Sequence, residues 1–241
     1  MGNQERISSV VVGSKGEVGL AVQEILEREF EVMGVDLNLN NWIDVKCEYL
    51  HICIPYNDNF ISIVSDYKKK YSPKLTIIHS TVPVGTTKKI GGVHSPVQGV
   101  HPRLVQGLDT YIKYVGYDNI RDKWVAYNYL RKSFKVKMVQ GSDTTELMKV
   151  LCLTRYGLHL EIADEMKRAC DYFRKDYKQV VTEWDIDYNE GNTKIRPEVR
   201  RPLYYPPGGK IGGHCCIPVT KMFSKQYSSE NLKRFLKNYG K

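Results

Sequence analysis

Four groups of residues in this chain have the types and spacing that chemistry requires. The first is Gly13-Ser14-Lys15-Gly16-Glu17-Val18-Gly19, which follows an apolar run and opens a helical one. Glycines let the backbone approach a diphosphate, and the amides that begin a helix stabilise its charge. Gly16 and Gly19 fit the last two glycines of the dinucleotide fingerprint G-x-G-x-x-G, with Gly13 one residue early. Asp36 ends the second apolar segment, at the distance where a carboxylate accepts the ribose hydroxyls of adenosine. No Lys or Arg follows it closely to take a ribose phosphate, so NAD is expected rather than NADP.

The second group, His79-Ser80-Thr81-Val82-Pro83-Val84-Gly85-Thr86-Thr87, closes a fourth strand with hydroxyl residues. On an open parallel sheet such residues face the crevice at the strand ends; Pro55 ends the third strand. Alone, the segment would be a Ser/Thr-rich helix cap. The third group is Glu146 and Lys149, three apart on one helical face, a spacing more often seen in surface ion pairs than at catalytic lysines. The fourth, Gly208-Gly209-Lys210-Ile211-Gly212-Gly213-His214-Cys215-Cys216-Ile217-Pro218, wraps two Gly-Gly pairs around a cysteine. His214 or a nearby lysine could lower that thiol's pKa. A metal site from His214, Cys215 and Cys216 is disfavoured because consecutive residues rarely reach one ion; no metal is expected.

The elements that must hold these residues alternate short strands with helical patterns, which signals βαβ units and a mostly parallel, Rossmann-type α/β sheet. Strands are expected at 7–12, 31–35, 49–54 and 75–79, and near 92–94, 111–115 and 135–139. Helices are expected at 16–29, 59–71 and 119–134. From Asp143 to about Phe173 apolar residues recur at Leu147, Leu151, Leu158, Ile162, Met166, Ala169 and Phe173, the seam of one long helix. Asp143 and Glu146 suggest a capping box at its start. At about 45 Å it is too long for a sheet crossover, and a spine shared by two subunits explains it better. A further helix is expected at 173–184. An ordered Pro/Gly-rich loop follows, and then a short helix at 229–237. The division expected is a dinucleotide domain at 1–141 and a helical dimerisation region with the cysteine loop at 142–241.

The chain has 241 residues, 41% of them hydrophobic and 26% charged, the composition of an ordinary globular protein. No apolar run nears the roughly 20 residues of a membrane helix, and no signal-peptide pattern opens the sequence, so a cytoplasmic protein is expected. Six cysteines without C-x-x-C spacing argue against a zinc knuckle or a disulfide framework. The net charge of +9 invites a nucleic-acid reading, but the basic residues are dispersed and suit an anionic small ligand as well.

Taken in order, the glycine loop with Asp36, Ser80-Thr81-Val82-Pro83-Val84-Gly85, Glu146-x-x-Lys149 and Gly212-Gly213-His214-Cys215 resemble the UDP-glucose/GDP-mannose dehydrogenase family. The resemblance covers most of the chain and implies a Rossmann NAD domain followed by a helical dimerisation spine; the family's third, nucleotide-holding domain is expected to be absent here. It implies oxidation of a sugar alcohol, with Cys215 capturing the aldehyde, Lys149 stabilising the oxyanion and Thr81 holding the reacting hydroxyl or water. It also implies NAD contacts from Gly13 to Val18, Asp36, Pro55, Ser80 and Thr81. This sequence departs from the family's pattern in several places. Val97 and His101 stand for two glutamates, Leu153 for an asparagine and Val219 for an aspartate. His94 and His101 are the available acid/base substitutes. The expectation is an NAD-dependent oxidoreductase acting on a sugar nucleotide or small sugar derivative as a homodimer, the alternative being an NAD-binding protein without turnover.

Overall fold

The computed structural model describes residues 6–37, 45–208, 211 and 215–240. Of the expected features, Gly209, Lys210, Gly212, Gly213 and His214 lie outside the described residues, as does most of the irregular stretch 38–48. The chain divides into two compact units, 1–150 and 151–241.

The first unit is built on a seven-stranded sheet. Its strands are β1 (Arg6–Val12), β2 (Val32–Val35), β3 (Lys46–Ile52), β4 (Leu75–Ile78), β5 (Val93–His94), β6 (Lys113–Tyr117) and β7 (Val136–Gln140). They lie in the order β2-β1-β3-β4-β5-β6-β7. All neighbours are parallel except β5 and β6. β1 carries the run Val10, Val11 and Val12, all buried, because strands covered on both faces need apolar residues at every position. The helices are α1 (Glu17–Leu26), α2 (Phe60–Tyr71), α3 (Thr86–Ile90), α4 (Leu104–Thr110) and α5 (Ile120–Leu130). On one face Val11, Ile77, Val93 and Val115 pack under α1, α4 and α5. On the other, Val10, Val12, Leu50, Ile52 and Ile78 pack with Phe60, Val64 and Tyr71 of α2.

Strand order reverses between β1 and β3, and open α/β sheets bind ligands at the carboxyl ends of the strands at such a point. Val12 pairs with both Val35 and Ile52, so the segments leaving β1, β2 and β3 emerge side by side. The motif residues sit on those segments.

α6 (Ser142–Tyr172) begins in the first unit and continues in the second. Its start differs from the expected capping box. The Ser142 N–H and hydroxyl donate to the two oxygens of Asp118, at 3.1 and 2.6 Å, and Glu146 is drawn into the interior. Arg174, in left-handed backbone at φ 54°, interrupts the helix expected at 173–184. A π-helical turn at Lys178–Glu183 leads into α7 (Trp184–Asn192) instead. Where a loop was expected after Cys215, α8 (Cys216–Ser224) forms, and α9 (Glu230–Tyr239) follows with Ser229 capping the Leu232 amide. The second unit closes on Leu160, Ile211, Cys216 and Phe235. Leu151, Ile162 and Met166 of the expected seam remain exposed.

Candidate active site and dinucleotide crevice

The β1–α1 turn can be this tight only because two of its residues lack a Cβ. Gly13 is left-handed (φ 83°), and a Cβ there would lie 2.8 Å from the Cys53 carbonyl oxygen of the neighbouring strand end. A Cβ at Gly19 would lie 2.0 Å from the Gly13 carbonyl oxygen, so α1 can meet its own turn only at glycine. The Gly13 and Ser14 amides donate to the Val35 carbonyl at 2.8 and 3.2 Å, and the Gly16 amide to that of Gly13 at 3.1 Å. By helix geometry the first-turn amides, from Glu17 onward, have no intrahelical carbonyl to reach. They face outward at the carboxyl edge of the sheet.

Asp36 sits beside this turn. One carboxylate oxygen accepts the Lys15 amide at 3.0 Å and the other the Leu37 amide at 2.8 Å. An ionised carboxylate offers about four acceptor positions, so half of its capacity remains. Ser14 turns its hydroxyl inward, buried beneath Gly34 with no hydrogen-bond partner among the described residues. Its part is to seat the turn against β2. Pro55 is exposed just past β3. Ser80 donates its hydroxyl to the Ile54 carbonyl at 2.6 Å, tying the end of β4 to that of β3, and Thr81 follows it half-buried.

The head of α6 completes this edge. Glu146 is fully buried and accepts the Gly85 and Thr87 amides at 2.5 and 2.7 Å. Burial pushes its carboxyl up, against the opposing pull of those hydrogen bonds. Sequence spacing suggested a surface ion pair with Lys149; Glu146 instead clamps the turn that presents Thr81. Lys149 donates from Nζ to the Val97 carbonyl at 2.8 Å, on the segment where the family's pattern has a glutamate.

Behind this edge lies a polar row that no local pattern announces. The Ser95 carbonyl accepts from His79 Nδ1 at 2.7 Å. A carbonyl only accepts, so that nitrogen carries the proton and His79 Nε2 is the acceptor for His51 Nδ1, at 2.9 Å. His51 Nε2 must then accept from the Tyr129 hydroxyl at 2.9 Å, and Tyr129 from Ser9 at 2.6 Å. The same logic fixes His94, whose Nε2 donates to the Ser80 carbonyl at 3.2 Å while Nδ1 faces the Thr145 hydroxyl at 2.9 Å. Burial holds these imidazoles neutral: His51 and His94 are pushed down to about 3, and His79 well below its ordinary value, with the Lys113 charge adding to each. Lys113, also buried, donates to the Ser95 carbonyl at 3.1 Å, and burial lowers its ammonium to about 7. Each polar group finds a partner, as burial demands.

The exposed imidazole of the first unit is His101. Its Nδ1 lies 2.7 Å from a carboxylate oxygen of Glu17, in the first turn of α1. The expected acid/base substitutes are therefore unlike one another: His94 is sealed in, and His101 stands at the mouth of the glycine turn.

Cys215 belongs to the second unit, partly exposed at the head of α8. Its neighbour Cys216 is buried, and a Cβ at Gly157 would lie 2.3 Å from its Sγ. Cys216 is a packing residue whose thiol is pushed up to about 11, by burial first. Among the described residues no group of three or more His, Cys, Asp or Glu could hold a metal ion.

Glycine turn, strand-end aspartate and switch point together define a Rossmann-type fold. No protein-family model matches the chain. Among curated proteins it is similar to UDP-N-acetyl-D-mannosamine dehydrogenase of Methanococcus vannielii, 25% identical over 150 residues, which are 58% of this chain and 32% of that protein. The chain thus spans about a third of the length of the curated relatives it matches. Among solved structures, UDP-D-ManNAc dehydrogenase from Pyrococcus horikoshii superposes on 96% of this chain and 67% of its own, with TM-score 0.77 and 16% identity. The 3-hydroxyisobutyrate dehydrogenase of Mycobacterium tuberculosis superposes on 98% of this chain and 93% of its own, with TM-score 0.68 and 13% identity. The fold is theirs, and the family resembled in sequence is also the one found among relatives and structural neighbours.

Proposed function

We propose that this protein is an NAD-dependent oxidoreductase of the nucleotide-sugar dehydrogenase type, oxidising an alcohol carbon of a sugar nucleotide or small sugar derivative. The observation that carries the reading is the convergence of the motifs at one sheet edge: the glycine turn with Asp36, the Ser80-Thr81 segment clamped by Glu146, and Lys149 on the Val97 carbonyl. The residues fit a dinucleotide. The turn leaves a cradle that a Cβ at Gly13 or Gly19 would fill, and Asp36 keeps acceptor capacity for two hydroxyls.

When bound, the nicotinamide supplies the hydride acceptor. Gly13 to Val18 would cradle the diphosphate, the turn Gly13 to Gly16 shaping the approach and the first-turn amides from Glu17 onward donating to it, with Asp36 on the adenosine ribose and Pro55, Ser80 and Thr81 lining the crevice. The Thr81 hydroxyl orients the reacting alcohol, and the Lys149 ammonium stabilises the oxygen as negative charge develops on it. In a second half-reaction the Cys215 thiolate would add to the aldehyde carbon to give a thiohemiacetal, which would lose its hydride to a second NAD to become a thioester, and water would then hydrolyse that thioester to the acid and the free thiol. That water needs a base, worth typically 10²–10⁴-fold; with Val97 in place of a carboxylate, His101 is the candidate, and the first oxidation is the better equipped half.

The exposed Leu151, Ile162 and Met166 of α6 support a homodimer, which light scattering at micromolar concentration tests; a monomer would refute it. Among the described residues no helix is long and apolar enough to cross a membrane, and reliance on NAD points to the cytoplasm. The decisive assay is NADH formation over a panel of sugar nucleotides, free sugars and hydroxy acids. Turnover lost in Lys149→Ala supports the reading, whereas turnover unaffected by Lys149→Ala overturns the residue assignment.

A further inference from the structure

β6 buries a lysine where an interior strand would ordinarily place an apolar side chain. Lys113 is only 3% exposed, and its Nζ reaches the segment that leaves β5. We infer that Lys113 is a positioning residue of the active site, which fixes the backbone at 95–96 so that the next carbonyl, that of Val97, holds the Lys149 amine in place. The inference deepens the reading above and rests on Lys149 acting at the reacting oxygen.

The segment needs a hold of this kind because the sheet stops short of it. β5 ends at His94, which pairs with Ile78 on one side and Gly116 on the other. The Ser95 amide makes one more bond, to the Ile78 carbonyl at 2.8 Å, and Pro96 has no N–H with which to continue. Side chains take over from there. The Ser95 carbonyl accepts from His79 Nδ1 at 2.7 Å and from Lys113 Nζ at 3.1 Å, and the Pro96 carbonyl lies 3.5 Å from the same Nζ. The Val97 carbonyl accepts from Lys149 Nζ at 2.8 Å, while the Val97 side chain packs in the core. Two lysines thus hold successive carbonyls of one three-residue segment.

His79 already gives the Ser95 carbonyl a partner, so Lys113 is not needed to satisfy that group. A methionine of similar length would pack against the Phe134 ring, 5.3 Å from Nζ, without the penalty of burying an amine. What the amine adds is a second attachment on the same backbone. Held by His79 alone, the segment is free to pivot about Ser95; held at two carbonyls, its direction is set, and with it the Val97 oxygen. Lys149 is a long, rotamer-rich side chain, and the carbonyl that receives it decides where its ammonium stands. The role does not depend on titration, because the amine keeps at least two N–H bonds in either protonation state, one for each carbonyl. The same strand fixes the other side of the site: His94 Nε2 donates to the carbonyl of Ser80 at 3.2 Å, the residue before Thr81. β5 and its extension therefore tie Thr81 and Lys149 to one frame.

The test is a double-mutant cycle on the full chain, with NADH formation measured over the panel of sugar nucleotides, free sugars and hydroxy acids. Lys113→Met should lower kcat by about tenfold to hundredfold, the effect of a displaced catalytic group, with NAD affinity by calorimetry unchanged. Introduced beside Lys149→Ala, it should cost nothing further, because the two residues act through one contact. Should Lys113→Met fail to fold, as circular dichroism would show, Lys113→Gln takes its place in the cycle; its amide still donates to the Ser95 carbonyl, and a loss of about threefold to tenfold is expected. A second readout needs no turnover: the acylation rate of the deprotonated Lys149 amine, followed by peptide mapping, should rise about twofold to tenfold when Lys113 is replaced. An unchanged kcat, losses that multiply in the double variant, or an unchanged acylation rate overturns the inference and leaves the assignment of Lys149 standing. Turnover insensitive to Lys149→Ala, or no turnover with any compound of the panel, overturns the underlying reading and the inference with it.

Discussion

Lowering the pH from 7.5 to 5 should unfold the first unit far more readily than its charge balance suggests. His51, His79 and His94 are buried and neutral, the first and last with values near 3, whereas in the unfolded chain they would titrate near 6.5. Below that value the unfolded state binds protons that the folded state refuses. The stabilisation is fully present above pH 6.5 and is lost as pH falls towards 3. Each group contributes a slope of about 1.4 kcal/mol per pH unit, so three give about 4 kcal/mol per unit. Between pH 6.5 and 5 the loss reaches about 6 kcal/mol, comparable with the roughly 5–15 kcal/mol total stability of a typical domain. Glu146, pushed up by burial, opposes this trend without cancelling it. The assay is urea unfolding followed by circular dichroism, with hydrogen exchange of the β1 and β4 amides to report on the first unit. His94→Gln, which can still donate to the Ser80 carbonyl, should remove about a third of the slope. A slope below about 1 kcal/mol per pH unit would refute the burial of neutral imidazoles.

Two further outcomes follow from the second unit. Gly157→Ala should destabilise it by about 1–3 kcal/mol, because the new methyl meets Cys216 Sγ and Phe235; thermal melting checks this, and an unchanged transition would contradict the packing. Alkylation at pH 7 with peptide mapping should label Cys215 ahead of Cys216, and preferential labelling of Cys216 would count against a nucleophilic Cys215.

The sheet was legible because its signals are local and redundant. β1 reads as a buried strand from its valines alone, and the glycine turn and Asp36 were placed by spacing that the pairing of Val12 with Val35 and Ile52 makes structural. α3, α4 and α8 were not anticipated. They are short, and Gly107 in α4 and Pro218 in α8 mask their periodicity, so packing rather than propensity forms them. Glu146 shows the limit for side chains. Its helical spacing from Lys149 was visible, but its burial under Gly85 and Thr87 depends on how distant segments meet. His51 and His79 could have been suspected from imidazoles placed in or just after apolar strands, though nothing local says that they bond one another. The pairing of His101 with Glu17 spans segments that no periodicity connects.

Calorimetric comparison of NAD with NADP tests the central claim most directly. With Asp36 beside the glycine turn and half its acceptor capacity open, NAD should bind at least about tenfold more tightly than NADP, whose 2′-phosphate would meet that carboxylate, a difference of about 1.4 kcal/mol. Asp36→Ala should weaken NAD and erase the preference. Equal affinity for the two cofactors, or no measurable binding of either, would contradict the account.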